Sequence, residues 1–217
     1  MSKLIGIVGT GYEKTFGVQR PYIEYFNRFG SVIMIDPRET EIIEQLDLVV
    51  LPGGADVVPF RYGESPNPDL CGTPNYYYEF FDTKVLPKYI ERGIPITGIC
   101  RGLQTINIVY NGSLHQHISH SYSSKDRGEL VHSVNVVGTN QKFKVNSLHH
   151  QAIKRLGNNL RPLLVGVDKG EEFIEAIEHT EKKIFAIQFH AEEMWWDSKA
   201  KDATNYVDNK INNLIEN

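Results

Sequence analysis

The stretch Ile94-Pro95-Ile96-Thr97-Gly98-Ile99-Cys100-Arg101-Gly102, followed by Leu103-Gln104-Thr105-Ile106-Asn107-Ile108-Val109-Tyr110, decides the fold. Ile94 to Ile99 is a short, β-branched apolar run, and 103 to 110 has helical character. A strand that enters a helix through Gly-Ile-Cys-Arg-Gly has the form of a nucleophile elbow. Glycines at 98 and 102 permit a turn so sharp that neighbouring Cβ atoms would otherwise collide. Cys100 then sits near a helix N-terminus, whose partial positive charge favours a thiolate. A buried structural cysteine at a strand end fits the same five residues, so the pentapeptide alone leaves both readings open.

On the N-terminal side, apolar runs at Leu4 to Val8, Val32 to Ile35 and Leu48 to Leu51 alternate with amphipathic stretches. Val18 to Phe29 places Tyr22, Ile23, Phe26 and Phe29 on one helical face, and Tyr77 to Arg92 does the same with Phe80, Phe81, Val85 and Tyr89. Strands separated by helices pair in parallel, with helices on both faces of the sheet. Residues 52–75 carry Pro52, Pro59, Pro66, Pro68 and Pro74, a density that forbids long regular structure and marks a functional or mobile loop. On the C-terminal side, Val131 to Val137, Lys142 to Val145, Leu163 to Val167, Phe173 to Ile177 and Ile184 to Phe189 read as strands with little helix between them. Lys199 to Ile215 reads as a polar helix. No linker, repeat or low-complexity tract interrupts the chain. The expected fold class is α/β: a single three-layer domain over 1–217, with a mostly parallel central sheet, flanking helices and an antiparallel extension.

Composition narrows the function. The 217 residues carry a net charge of -4, which argues against a general nucleic-acid binder. Two cysteines exclude a disulfide scaffold. The N-terminal apolar run is too short for a signal peptide, and no run approaches the roughly 18 apolar residues of a membrane span. A cytoplasmic enzyme or binding domain, without nucleic-acid or membrane partners, is the expectation.

A thiol nucleophile needs a base, and such partners meet in space rather than in sequence. Ile184 to Phe189 leads into His190-Ala191-Glu192. If its strand runs parallel to the one before Cys100, His190 reaches the same sheet edge, and Glu192 can turn back to hold the second imidazole nitrogen. Leu51-Pro52-Gly53-Gly54 closes another strand. There the amide of Gly54, with that of Arg101 after the nucleophile, would form a two-donor oxyanion hole.

Together, Gly-Ile-Cys-Arg-Gly at 98–102, Gln188-Phe189-His190-Ala191-Glu192 and Leu-Pro-Gly-Gly at 51–54 resemble the class I glutamine amidotransferases, and within them the stand-alone peptidase C26 γ-glutamyl hydrolases. Pro52 to Pro59 with Arg61-Tyr62-Gly63-Glu64, Ile99 to Gln104, Asn111 to Gln116 and Val145 to Gln151 resemble the bacterial γ-glutamyl-γ-aminobutyrate hydrolases in particular. The resemblance runs in order from about residue 5 to 193 and implies a flavodoxin-like amidotransferase fold. It implies Cys100 as nucleophile, His190 as base and Glu192 as its orienting partner, with oxyanion amides from Gly54 and Arg101. Gly53, Gln104 and the segment Ser147-Leu148-His149 would meet the glutamyl substrate. The implied reaction is hydrolysis of a γ-glutamyl amide through a thioester, with no cofactor and a small-molecule substrate. A homodimer is compatible with it, as related hydrolases often form one. Two other readings share the fold: a glutaminase subunit feeding ammonia to a partner synthetase, and a non-catalytic binding or redox-sensing domain. The chain departs from the family at Ala191, where proline is usual, and at Asn75 and His117, where an acidic residue often stands. Alanine is expected to be tolerated, with Glu192 held less firmly.

Other features have plainer readings. His115, His117, His120 and His132 invite a metal, but without carboxylate or thiolate company at suitable spacing no metal is expected. Gly6 to Gly11 lacks dinucleotide-binding spacing and reads as a strand-to-loop turn. Tyr76 to Tyr78 and Trp195-Trp196 lie beside the site segments and could line a pocket or an interface. Cys71 is a bystander in the proline-rich loop.

Overall fold

The computed structural model describes residues 2–12 and 15–216. In chain order the strands are β1 (Leu4–Val8), β2 (Thr10–Tyr12), β3 (Thr15–Gly17), β4 (Ser31–Ile35), β5 (Leu48–Leu51), β6 (Ile96–Ile99), β7 (Ser113–His115), β8 (His132–Val136), β9 (Lys142–Val145), β10 (Ala152–Arg155), β11 (Leu160–Asp168), β12 (Glu171–His179) and β13 (Ile184–Ile187). The helices are α1 (Arg20–Phe26), α2 (Tyr76–Phe80), α3 (Leu86–Glu91), α4 (Arg101–Val109) and α5 (Lys201–Glu216).

Nine strands form one sheet in the order β4-β1-β5-β6-β13-β12-β11-β8-β9. The first five run parallel, and from β13 to β9 each pairing is antiparallel. The expected α/β sheet with its antiparallel extension is therefore present. Alternation along the strands sends side chains to two cores. Ile5, Ile7, Leu48 and Val50 pack with Tyr22, Tyr25 and Phe26 of α1 and with Ala203, Val207 and Ile211 of α5. Val49 and Leu51 pack on the other side with Leu86 and Tyr89 of α3 and with Leu103 and Ile106 of α4. Parallel strands buried on both faces account for the continuous apolar runs in the sequence.

Three local expectations need correction. The segment 77–92 is not one helix, because a π-helical turn, Phe81–Val85, separates α2 from α3. Pro87 lacks an N–H, and its ring would clash with the carbonyl four residues back, so the chain widens just before it. On α1, Ile23 faces outward at 38% exposed, and Tyr25 is buried in its place. The helix is also shorter than 18–29, beginning at Arg20 with Pro21 in its first turn. The third correction is an addition: the hairpin β2–β3 and the pair β7–β10 form small sheets of their own, which no apolar run in the sequence announces. Among the described residues no helix is long and apolar enough to cross a membrane.

Candidate active site

β5, β6 and β13 are neighbours and parallel, so their C-terminal ends share one sheet edge, where ligands bind in open α/β sheets. Each end carries one part of the site. After β6 the chain turns at Cys100, which adopts φ 54° and ψ -104°, a left-handed conformation that a residue with a Cβ rarely accepts. The turn is held from both sides: Cys100 N–H donates to the Ile187 carbonyl at 2.8 Å, and the Cys100 carbonyl accepts from Leu103 at 3.1 Å. The flanking glycines are sterically required. A Cβ on Gly102 would lie 2.2 Å from the Leu51 carbonyl oxygen, and one on Gly98 would lie 2.6 Å from the Gly102 carbonyl carbon.

After β13, His190 arrives beside Cys100. Its Nδ1 is 2.6 Å from Oε1 of Glu192, and Glu192 is fully buried. Burial alone would disfavour the imidazolium, but the Glu192 carboxylate and Cys100 more than offset it and push His190 up to about 10. After β5 come Gly53 and Gly54. A Cβ at Gly53 would lie 2.8 Å from the His190 ring and 3.0 Å from the Tyr22 hydroxyl, so glycine leaves room for both side chains here. The N–H of Gly54 and that of Arg101, the first residue of α4, have no acceptor among the described residues. The Arg101 side chain turns away from them, donating to Asp82 at 2.8 Å and Glu79 at 3.2 Å and stacking on Tyr78. These parts enclose a cavity of about 210 Å3, walled by Cys100, His190, Gly53 and Gly54 and completed by Tyr22, Leu148, Gln19 and Arg127.

Not every residue singled out in the sequence reaches that cavity. Leu148 does, but its neighbours turn the other way. Ser147 Oγ is 2.7 Å from His120 Nε2, and His149 lies 3.6 Å from the Glu175 carboxylate, which also holds His132 at 3.0 Å. Glu175 is fully buried; burial opposes its charge, yet the His132 hydrogen bond and the nearby His149 imidazole bring its carboxyl down to about 2. Gln104 is buried, its amide donating to the Gln151 carbonyl and to Gln188. The four histidines considered for metal do not converge. His120 and His132 belong to the Glu175 cluster, whereas His117 stacks against His150. No group of three or more metal-ligating side chains among the described residues is arranged to hold an ion. Tyr78 is buried against Gly54, while Tyr76 and Trp196 are exposed. Cys71 donates to Gln116 in the proline-rich loop.

Two residues at the site give no warning in the sequence. The Tyr22 hydroxyl accepts from Gly53 N–H at 2.8 Å; burial first, then the Glu192 carboxylate, push it well above the ordinary tyrosine range. Asn146, fully buried, clasps the His190 peptide: Oδ1 accepts from His190 N–H at 2.9 Å, and Nδ2 donates to its carbonyl at 3.0 Å. This two-point clasp fixes His190 from outside, at the place where Ala191 supplies no proline rigidity. Asn146→Ala is expected to lower kcat by roughly 10- to 100-fold with a smaller change in KM, as misplacement of a catalytic group does. Steady-state kinetics on the folded variant checks it, and an unchanged kcat would remove Asn146 from the positioning role.

Comparison with known proteins agrees with this architecture. The Peptidase C26 family matches residues 10–192. A glutamine amidotransferase-like protein of Lactococcus lactis subsp. lactis is 33% identical over 99% of this chain and 98% of its own length. The γ-glutamyl-CDP-amidate hydrolase of Campylobacter jejuni is 32% identical over 66% of this chain and 61% of its own. Among solved structures, a GMP synthase subunit of Thermoplasma acidophilum superposes with a TM-score of 0.67 at 19% identity, covering 100% of this chain and 95% of that one, which bears on the fold alone. The sheet that brings Cys100 and the His190–Glu192 pair to one edge is shared with glutamine amidotransferase-type structures, and the chain belongs to the Peptidase C26 family, with glutamine amidotransferase-like relatives.

Proposed function

We propose that the chain hydrolyses γ-glutamyl amides with Cys100 as nucleophile, His190 as acid and base, and Glu192 as the group that orients and charges the imidazole. The observation that carries this reading is that Cys100 and His190 wall one small cavity, with Glu192 hydrogen-bonded behind His190 and the nearby N–H groups of Gly54 and Arg101 left without an acceptor among the described residues. A histidine held protonated at neutral pH is the counter-ion of a thiolate and an acid for the departing amine.

The Cys100 thiolate adds to the γ-carbonyl carbon, and the oxyanion accepts hydrogen bonds from Gly54 and Arg101 N–H. The C–N bond breaks as His190 gives its proton to the amine, leaving a γ-glutamyl thioester. His190, now neutral, takes a proton from water as the water oxygen adds to the thioester carbonyl. Breaking the C–S bond releases glutamate and restores the thiolate–imidazolium pair.

The name of the Campylobacter jejuni relative supports a γ-glutamyl amide as substrate class. A second reading follows the name of a relative, a glutamine-hydrolysing GMP synthase: this chain would act as a glutaminase for a partner synthetase. A mass-spectrometric panel of γ-glutamyl amides and glutamine separates the two. The isolated chain is expected to release glutamate from γ-glutamyl amides with leaving groups larger than ammonia. Turnover of glutamine alone, appearing only after a synthetase is added, would favour the second reading.

A further inference from the structure

Arg127 stands where two spaces meet. It lines the 210 Å3 cavity beside Cys100, and among the described residues it alone also lines an open groove of about 1260 Å3 running past Lys144, Trp196 and Lys199. The cavity is smaller than the roughly 300–1,000 Å3 that encloses a drug-sized ligand. It is of a size for an acyl group, and the groove past Arg127 offers the room that a larger leaving amine needs.

The guanidinium is held but not used up. Its Nε is hydrogen-bonded to the Glu193 carboxylate, while Nη1 and Nη2 have no acceptor among the described residues. The side chain is 52% exposed. Its backbone carbonyl accepts from Asn146 Nδ2 at 2.8 Å, and that same amide clasps His190, so the base of the side chain is tied to the site. Most carboxylates of the groove are already engaged. Asp126, Glu129 and Asp197 each accept from backbone N–H groups. Lys144 and Lys199 have no carboxylate partner among the described residues.

We propose that Arg127 determines specificity by receiving, on its free Nη1 and Nη2, an oxyanion of carboxylate or phosphate type carried by the leaving amine. A guanidinium offers parallel N–H donors that match such a group, which a neutral leaving amine cannot engage. This deepens the γ-glutamyl hydrolase reading and rests on it.

The test compares γ-glutamylglycine, whose leaving amine bears a carboxylate, with γ-glutamyl ethylamide, whose leaving amine does not. In Arg127→Gln, kcat/KM for γ-glutamylglycine should fall roughly 10- to 100-fold further than for the ethylamide, with Arg127→Lys in between. Equal losses on both compounds would overturn the proposal and assign the guanidinium to the α-carboxylate of the glutamyl group. No loss on either would overturn it outright. A second arm does not depend on the substrate reading: alkylation of Cys100 by iodoacetate and by iodoacetamide, followed by peptide mass spectrometry with Cys71 as internal control. The iodoacetate-to-iodoacetamide rate ratio at Cys100 should drop several-fold in Arg127→Gln and stay constant at Cys71. If wild-type protein cleaves neither glutamyl compound yet shows this drop, the substrate reading fails and the anion site stands. An unchanged ratio removes the anion site.

Discussion

Replacing Cys100 with alanine is expected to lower γ-glutamyl amide hydrolysis by roughly 10^4-fold or more, leaving only what binding and the oxyanion amides sustain. The strained backbone explains why the loss should be so nearly complete. A φ of 54° at a residue with a Cβ costs energy that a purely structural cysteine would not need, and it aims the side chain at the cavity beside His190. Cys100→Ser keeps the shape and replaces the thiol with a hydroxyl that His190, held as imidazolium, is poorly placed to deprotonate. It should therefore be nearly as inactive as alanine. Both variants should fold, because Cys100 makes its two turn-holding hydrogen bonds through the backbone. Steady-state assays alongside far-UV circular dichroism would check both statements.

Replacing Glu192 with glutamine is expected to cost roughly 10^2- to 10^4-fold in kcat, the range seen when the acidic member of such a constellation loses its charge. The effect should also carry a pH signature. The Glu192 carboxylate is first among the influences that offset burial and raise His190 to about 10. The leaving amine needs the protonated imidazole, so wild-type activity should decline only as pH rises toward about 10. With glutamine at 192, burial dominates and this alkaline limb should move to lower pH. Stability follows the same sign. The raised His190 contributes fully below its ordinary 6.5, and its contribution is lost as pH rises through about 10. The stability gap between wild type and Glu192→Gln should narrow over that window. A pH–kcat/KM profile that superposes on the wild-type profile would contradict this assignment.

Much of the site is legible in the sequence because its parts are local and stand at strand ends. Gly98 and Gly102 announce a tight turn around Cys100, Gly53 and Gly54 mark the end of β5, and His190 and Glu192 follow β13 directly. Parallel strand order then puts the three ends on one edge. The rest acts through tertiary contacts that no local pattern records. Asn146 reaches His190 across 44 positions, and Tyr22, whose spacing marks it as a core residue, meets Gly53 across 31. Ser147 and His149 flank Leu148 in an irregular segment and face away from the cavity toward a buried cluster, Ser147 bonded to His120 and His149 lying near the Glu175 carboxylate that His132 holds. The π-helical turn before Pro87 is likewise invisible to a 3.6-residue period, although proline itself is the signal that could have found it. Arg127 is hidden for a different reason, since only the meeting of cavity and groove gives it significance.

The proposed reaction passes through a covalent γ-glutamyl thioester on Cys100. Intact-protein mass spectrometry of samples acid-quenched during turnover of a γ-glutamyl amide, with peptide mapping, tests it most directly. A glutamyl adduct confined to the Cys100 peptide is expected, appearing before steady state and absent from Cys100→Ala. Hydrolysis proceeding at the wild-type rate with no adduct, or an adduct mapped to another residue, would contradict it.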